Sequence, residues 1–125
     1  MLIVDDEEVF SELAREQLER RGFSVEIAAS GEEALPRIQA RPPRAIVMDV
    51  RMPGMGGVAL LRRLQADPAT RPIPVIVCSC TASETAAAQG LLGLGARRVL
   101  GKPCEPEALA RALRQAMAGE GGDAG

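Results

Sequence analysis

Five short apolar runs punctuate the chain: MLIV (1–4), SVEIA (24–28), RAIVM (44–48), IPVIVCS (73–79) and RRVLG (97–101). Several are β-branched and nearly continuous in hydrophobicity, which predicts strands of a parallel sheet covered on both faces. SVEIA alternates apolar with polar and is placed at an edge. The stretches between the runs have helical period. In 7–21, Val9, Phe10, Leu13, Ala14 and Leu18 line one face, and Gly22 follows as a stop. The next stretch opens SGEEAL, with Ser30 and Glu33 at capping-box spacing, and Pro36 inside it predicts a kink or a short first turn. Residues 57–66 carry Val58, Leu60, Leu61 and Leu64, and an Ala-rich helix over about 83–93 is loosened by Gly90 and Gly93. The last helix starts EPEALARAL, with Pro106 in its first turn and Leu109, Leu113 and Met117 on one face. After Met117 the segment AGEGGDAG has no apolar anchor. The expected organisation is one domain over 1–118, followed by a disordered tail or linker start over 119–125.

A β-α unit repeated five times reads as an open α/β domain with helices on both faces of a five-stranded parallel sheet. A hydrophobic content of 46% over 125 residues suits a single core. The net charge of -2 argues against nucleic acid or an anionic membrane as the main partner, and no apolar run is long enough to span a bilayer. There is no histidine, which excludes a Ser-His-Asp triad and any histidine-ligated metal. With no Trp or Tyr, the core rests on Leu, Ile, Val, Met and Ala. Cys78, Cys80 and Cys104 have no metal-site spacing and read as reduced core or near-core residues of a cytosolic protein.

In open α/β sheets the functional crevice lies at the carboxyl ends of the strands. Asp5 and Asp6 follow the first strand, Asp49 follows the third, Ser79 closes the fourth and Lys102 follows the fifth. Three carboxylates packed alone repel one another and resist ionisation; a divalent cation removes that penalty. Hard oxygen ligands suit Mg²⁺, which takes one or two carboxylates together with phosphate oxygens. Lys102 adds a second positive charge and Ser79 a hydroxyl. Such a set stabilises a phosphoryl group in transfer, and a carboxylate can itself be the nucleophile.

The segments LIVDDEE, IVMDVRMPGMGG, IPVIVCSCTA and GARRVLGKP, in this order, resemble the receiver domain of the bacterial two-component response regulator family. The resemblance implies a flavodoxin-like (βα)5 fold with strand order 2-1-3-4-5. Asp49 would accept a phosphoryl group from a phosphohistidine on a sensor histidine kinase or phosphotransfer protein, or from acetyl phosphate. Asp6 would bind Mg²⁺ directly and Asp5 mainly through water, with Asp49 and the backbone carbonyl of Arg51 completing the set. Lys102 and the Ser79 hydroxyl would contact phosphoryl oxygens, and Pro103 would follow the lysine through a cis bond. The implied role is a regulatory phosphoacceptor rather than an enzyme, though one that promotes its own phosphotransfer and autodephosphorylation. The implied setting is cytoplasmic, with a downstream effector protein or fused output domain and a receiver homodimer as partners.

Some positions depart from the family. Ser79 lies 30 residues after Asp49 and completes a strand of ordinary length, so it is favoured as the switch hydroxyl. Thr81 is the alternative and needs a strand two residues longer. Cys80 stands where Ala is usual, and Gly56 where many relatives have Asp. Val99 replaces the Tyr or Phe that often acts as a rotamer switch. Glu7 and Glu8 read as first-turn residues complementing a helix dipole. Two other functions compete: a receiver-like interaction module independent of phosphorylation, and an Mg²⁺-dependent phosphohydrolase. The second commonly needs an acid two residues after its nucleophilic Asp, where this chain has Arg51.

Overall fold

A computed structural model describes residues 1–50, 54–79, 85–102 and 105–118. Strands and helices alternate as β1 (Leu2–Val4), α1 (Glu8–Arg20), β2 (Glu26–Ala28), α2 (Gly31–Ala40) and β3 (Ile46–Met48). They continue as α3 (Gly57–Ala66), β4 (Val75–Ser79), α4 (Thr85–Gly93), β5 (Arg98–Gly101) and α5 (Pro106–Met117). Each apolar run yields one strand, shortened by one or two residues at its amino end. At β4 the reason is chemical. Pro74 has no N–H to give to a ladder, although its carbonyl accepts the Ile46 amide at 3.0 Å.

All strand pairs are parallel, in the order β2-β1-β3-β4-β5, so SVEIA does lie at an edge. The two-residue period of the strands divides the core. Ile3, Val47, Ile76 and Cys78 pack with Leu18 of α1 and Leu109 and Leu113 of α5. Leu2, Val4, Ile46, Met48, Val75 and Val77 pack with Leu35, Ile38, Leu60, Leu61 and Leu64 of α2 and α3, and Leu91 of α4. Right-handed crossovers account for this division. The chain steps one way from β1 to β2 and the opposite way in every later step, placing α1 on one face and α2 to α4 on the other.

Three local expectations change. Only Leu18 of the α1 stripe is fully buried; Phe10 and Ala14 are half-buried, whereas Val9 and Leu13 are 74% and 57% exposed. Residues 10, 14 and 18 form one row along the helix, and 9 and 13 lie about 100° round from it. α2 runs unbroken through Pro36, because a proline in the second turn removes a single backbone bond from a helix that is already capped. Ser30 caps it by accepting the Glu33 amide at 3.1 Å, but Glu33 reaches back to Ala29 rather than to Ser30. The expected tail over 119–125 lies outside the described residues.

Candidate functional site

Ladder hydrogen bonds continue one step past the strands and set the rim. The Asp5 amide donates to the Ala28 carbonyl at 3.1 Å, that of Asp49 to Val4 at 3.0 Å, and that of Lys102 to Ser79 at 3.1 Å. Strand order reverses direction at β1, which lies beside β3, so Asp5 and Asp49 flank the switch point of the sheet. Behind Asp49, the Gly57 amide donates to Val50 O at 2.9 Å. A Cβ at Gly57 would sit 2.3 Å from the Asp49 carbonyl oxygen and 2.7 Å from Val50 Cα, so only glycine lets the start of α3 approach this closely.

Asp5, Asp6 and Asp49 each place a carboxylate oxygen within 4.8 Å of the others; Asp5 and Asp49 are buried and Asp6 is exposed. Lys102 Nζ donates to Asp5 Oδ2 at 2.7 Å, Asp49 Oδ2 at 3.0 Å and Glu7 Oε1 at 2.7 Å. It also lies 4.3 Å above the centre of the Phe10 ring. Asp5 Oδ1 accepts the Glu7 amide at 2.9 Å, so both of its oxygens are held. Asp6 has no hydrogen-bond partner among the described residues.

Burial pushes the Asp5 carboxyl above the ordinary carboxylate range, and the bonds from Lys102 and the Glu7 amide oppose that rise only in part. Burial would lower Lys102, yet bonds to Asp5, Glu7 and Asp49 outweigh it and hold the ammonium above its usual range. The lysine is therefore a fixed cation among carboxylates, with a side chain 7% exposed.

The donor set fits a hard divalent cation: carboxylate oxygens, close together, with one acid open to solvent. Asp6 is the one free to ligate directly. Asp5, with both oxygens engaged, would act through water, as the family resemblance implies.

The structure thus brings Asp5, Asp6, Asp49 and Lys102 into one group. Ser79 ends β4 fully buried, with its carbonyl bonded to the lysine amide. Thr81, Cys80, the Arg51 carbonyl and Pro103 lie outside the described residues. Val99 pairs with Val77 in the sheet and packs against the core on the α2–α4 side.

The sequence reading placed both Glu7 and Glu8 in a first helical turn, but only Glu8 is there. Glu7 is the N-cap residue of α1, makes no side-chain capping bond and sends its carboxylate to Lys102. Its place in an unbroken acidic run at a strand end was the available signal. Neither that contact nor the Phe10 ring beneath the lysine follows from local pattern.

Comparison with known proteins agrees with this geometry. A family model described as the response regulator receiver domain matches residues 1–114. The phosphate regulon transcriptional regulatory protein PhoB of Rhizobium meliloti is 38% identical over 110 residues, covering 87% of this chain and 48% of that protein. The chain thus spans about half the length of the curated relatives it matches. Among solved structures, the receiver domain of a signal transduction histidine kinase from Syntrophus aciditrophicus superposes with a TM-score of 0.85 at 34% identity, covering 94% of this chain and 89% of that one. The chemotaxis response regulator CheY4 of Vibrio cholerae gives 0.85 at 30% identity, covering 92% and 95%. With the receiver-domain model matched over residues 1–114 and a 2-1-3-4-5 parallel sheet beneath the acidic rim, this protein belongs to the response regulator receiver domain family.

Proposed function

We propose that Asp49 is the phosphoacceptor of a two-component phosphorelay and that a histidine kinase or phosphotransfer protein is its donor. One Asp49 carboxylate oxygen attacks phosphorus, the P–N bond to the donor imidazole breaks, and the imidazole nitrogen keeps the electron pair and is reprotonated from solvent. The observation that carries this reading is the buried Lys102 ammonium hydrogen-bonded to both Asp5 and Asp49. Fixed in place before any reaction, it stands beside Asp49 to meet charge developing on a phosphoryl oxygen once one of its donors is released. Asp6, Asp49, the Arg51 carbonyl and, through water, Asp5 would hold Mg²⁺, which when bound neutralises phosphoryl charge. The Ser79 hydroxyl is assigned the remaining phosphoryl contact, with Thr81 as the alternative. Later attack of water on phosphorus would release inorganic phosphate and restore Asp49, ending the signal.

The donor protein has an apolar footing beside the site. Val9 and Leu13, exposed on α1, stand within the first two turns after the acidic rim. Among the described residues no helix is long and apolar enough to cross a membrane, and a cytoplasmic setting follows from the proposed donor. Readout to a downstream effector or a fused output domain would not use an aromatic swing, because Val99 is a half-buried packing residue. A role as a phosphorylation-independent module is disfavoured by the intact acid and lysine set. The test is intact-protein mass after incubation with acetyl phosphate. One added phosphoryl group is expected, dependent on Mg²⁺ and absent in Asp49→Asn; no adduct on the wild-type chain refutes the reading.

A further inference from the structure

An ammonium has three N–H donors, and on Lys102 three carboxylates take them: Asp5 at 2.7 Å, Glu7 at 2.7 Å and Asp49 at 3.0 Å. The Phe10 ring covers a further side of the nitrogen. A phosphoryl oxygen can reach this ammonium only if one partner leaves. Asp5 is buried and pinned through its other oxygen by the Glu7 amide, and Asp49 is the group being modified. Glu7 differs from both. Its side chain is 58% exposed and can rotate into water while its backbone stays in place.

We propose that Glu7 is a built-in competitor for the phosphoryl group: its carboxylate occupies the Lys102 donor that a phosphoryl oxygen on Asp49 would take. The inference deepens the phosphoacceptor reading and rests on it. It also gives the site selectivity. A doubly charged phosphoryl group offers the ammonium more than a carboxylate does and displaces Glu7, whereas singly charged carboxylate-like anions do not. The exchange moves one exposed side chain and leaves the sheet ends, Asp5 and the lysine stem unmoved.

The experiment titrates trifluoroberyllate, a phosphoryl mimic, into the full chain at saturating Mg²⁺, read by calorimetry and ¹⁹F NMR. It compares wild type, Glu7→Gln, Glu7→Ala and the neighbouring control Glu8→Gln, with Mg²⁺ alone titrated in parallel. Loss of one half-exposed, charge-assisted competitor should tighten trifluoroberyllate binding roughly two- to tenfold in both Glu7 variants. Glu8→Gln should change it by less than about twofold, since it alters only the screened general field. Mg²⁺ affinity should shift no more in the Glu7 variants than in Glu8→Gln. Unchanged or weaker binding in the Glu7 variants overturns the inference, because Glu7 would then be supporting the lysine. An equal gain in Glu8→Gln overturns it too, as a plain charge effect. If no variant and no wild type takes up trifluoroberyllate, the phosphoacceptor reading falls and this inference with it.

Discussion

Replacing Gly57 by alanine tests the close approach of α3 to Asp49. In an open helix interior, Gly→Ala gains about 0.5–1 kcal/mol by restricting the unfolded chain. At Gly57, the first residue of α3, that gain is smaller. Against it, the new Cβ would meet the Asp49 carbonyl oxygen at 2.3 Å and Val50 Cα at 2.7 Å. Both are backbone atoms of the rim and cannot swing aside as a side-chain end would, so the start of α3 must move. Overpacking of this kind costs about 1–3 kcal/mol, leaving a net loss of about 1–2 kcal/mol and a melting temperature lower by about 4–8 °C in a domain of this size. Gly90, inside α4, is the internal control: among the described residues, a Cβ there meets nothing within 4 Å. Gly90→Ala should raise the melting temperature by about 2–4 °C. Far-UV circular dichroism melts read both. The atoms the new methyl presses against belong to Asp49 and its neighbour, so folded Gly57→Ala should also take up less phosphoryl group from acetyl phosphate. A Gly57→Ala protein that melts at or above wild type, beside a stabilised Gly90→Ala, refutes the packing argument.

Lys102→Met leaves Asp5 and Asp49 buried without their shared cation and should cost about 2–4 kcal/mol near neutral pH. Because the folded-state lysine is held above its usual range, the stability it supplies is fully present below the ordinary lysine value of 10.5 and is lost as pH rises through the folded value. Above neutral pH, melts of wild type and Lys102→Met should therefore differ by a near-constant amount up to about pH 10 and converge as pH rises further. On the acid side the gap also narrows as the buried Asp5 takes up a proton; a gap that shrinks steadily between about pH 8 and 10 contradicts this sign. Away from the site, the buried Thr70 hydroxyl donates to Leu64 O at 2.7 Å and ties the end of α3 to the turn that follows. Thr70→Val should lower stability by about 1–2 kcal/mol in urea unfolding, with an unchanged m-value and unchanged phosphoryl uptake.

Much of this protein is legible along the chain, because burial repeats with the local period of each element. The β-branched runs became strands, and alternation within them decided which residues face α1 and α5 and which face α2 to α4. The rim was legible for a related reason. Asp5, Asp49 and Lys102 are each covalently the next residue after a strand, so ordering the strands in parallel fixes the acids and the lysine at one end of the sheet. The resemblance to the family supplied the roles proposed for them.

What local pattern could not decide are the outcomes set by neighbours distant in sequence. Val9 and Leu13 have helical spacing with Phe10, but whether a stripe is covered depends on where α5 lies. Gly57 reads as a small residue at a helix start; its necessity appears only when the Asp49 carbonyl is folded against it. Glu7 and Lys102 are 95 positions apart, and no period links them. Their contact exists because α1 and α5 pack together on one face of the sheet and bring the residues after β1 and after β5 to the same end, where a buried ammonium with three donors takes whatever carboxylates lie within reach. Sequence determines which groups stand on the rim, through covalent order and burial period; only the tertiary structure decides which of them touch, because charge pairing and close packing act through space.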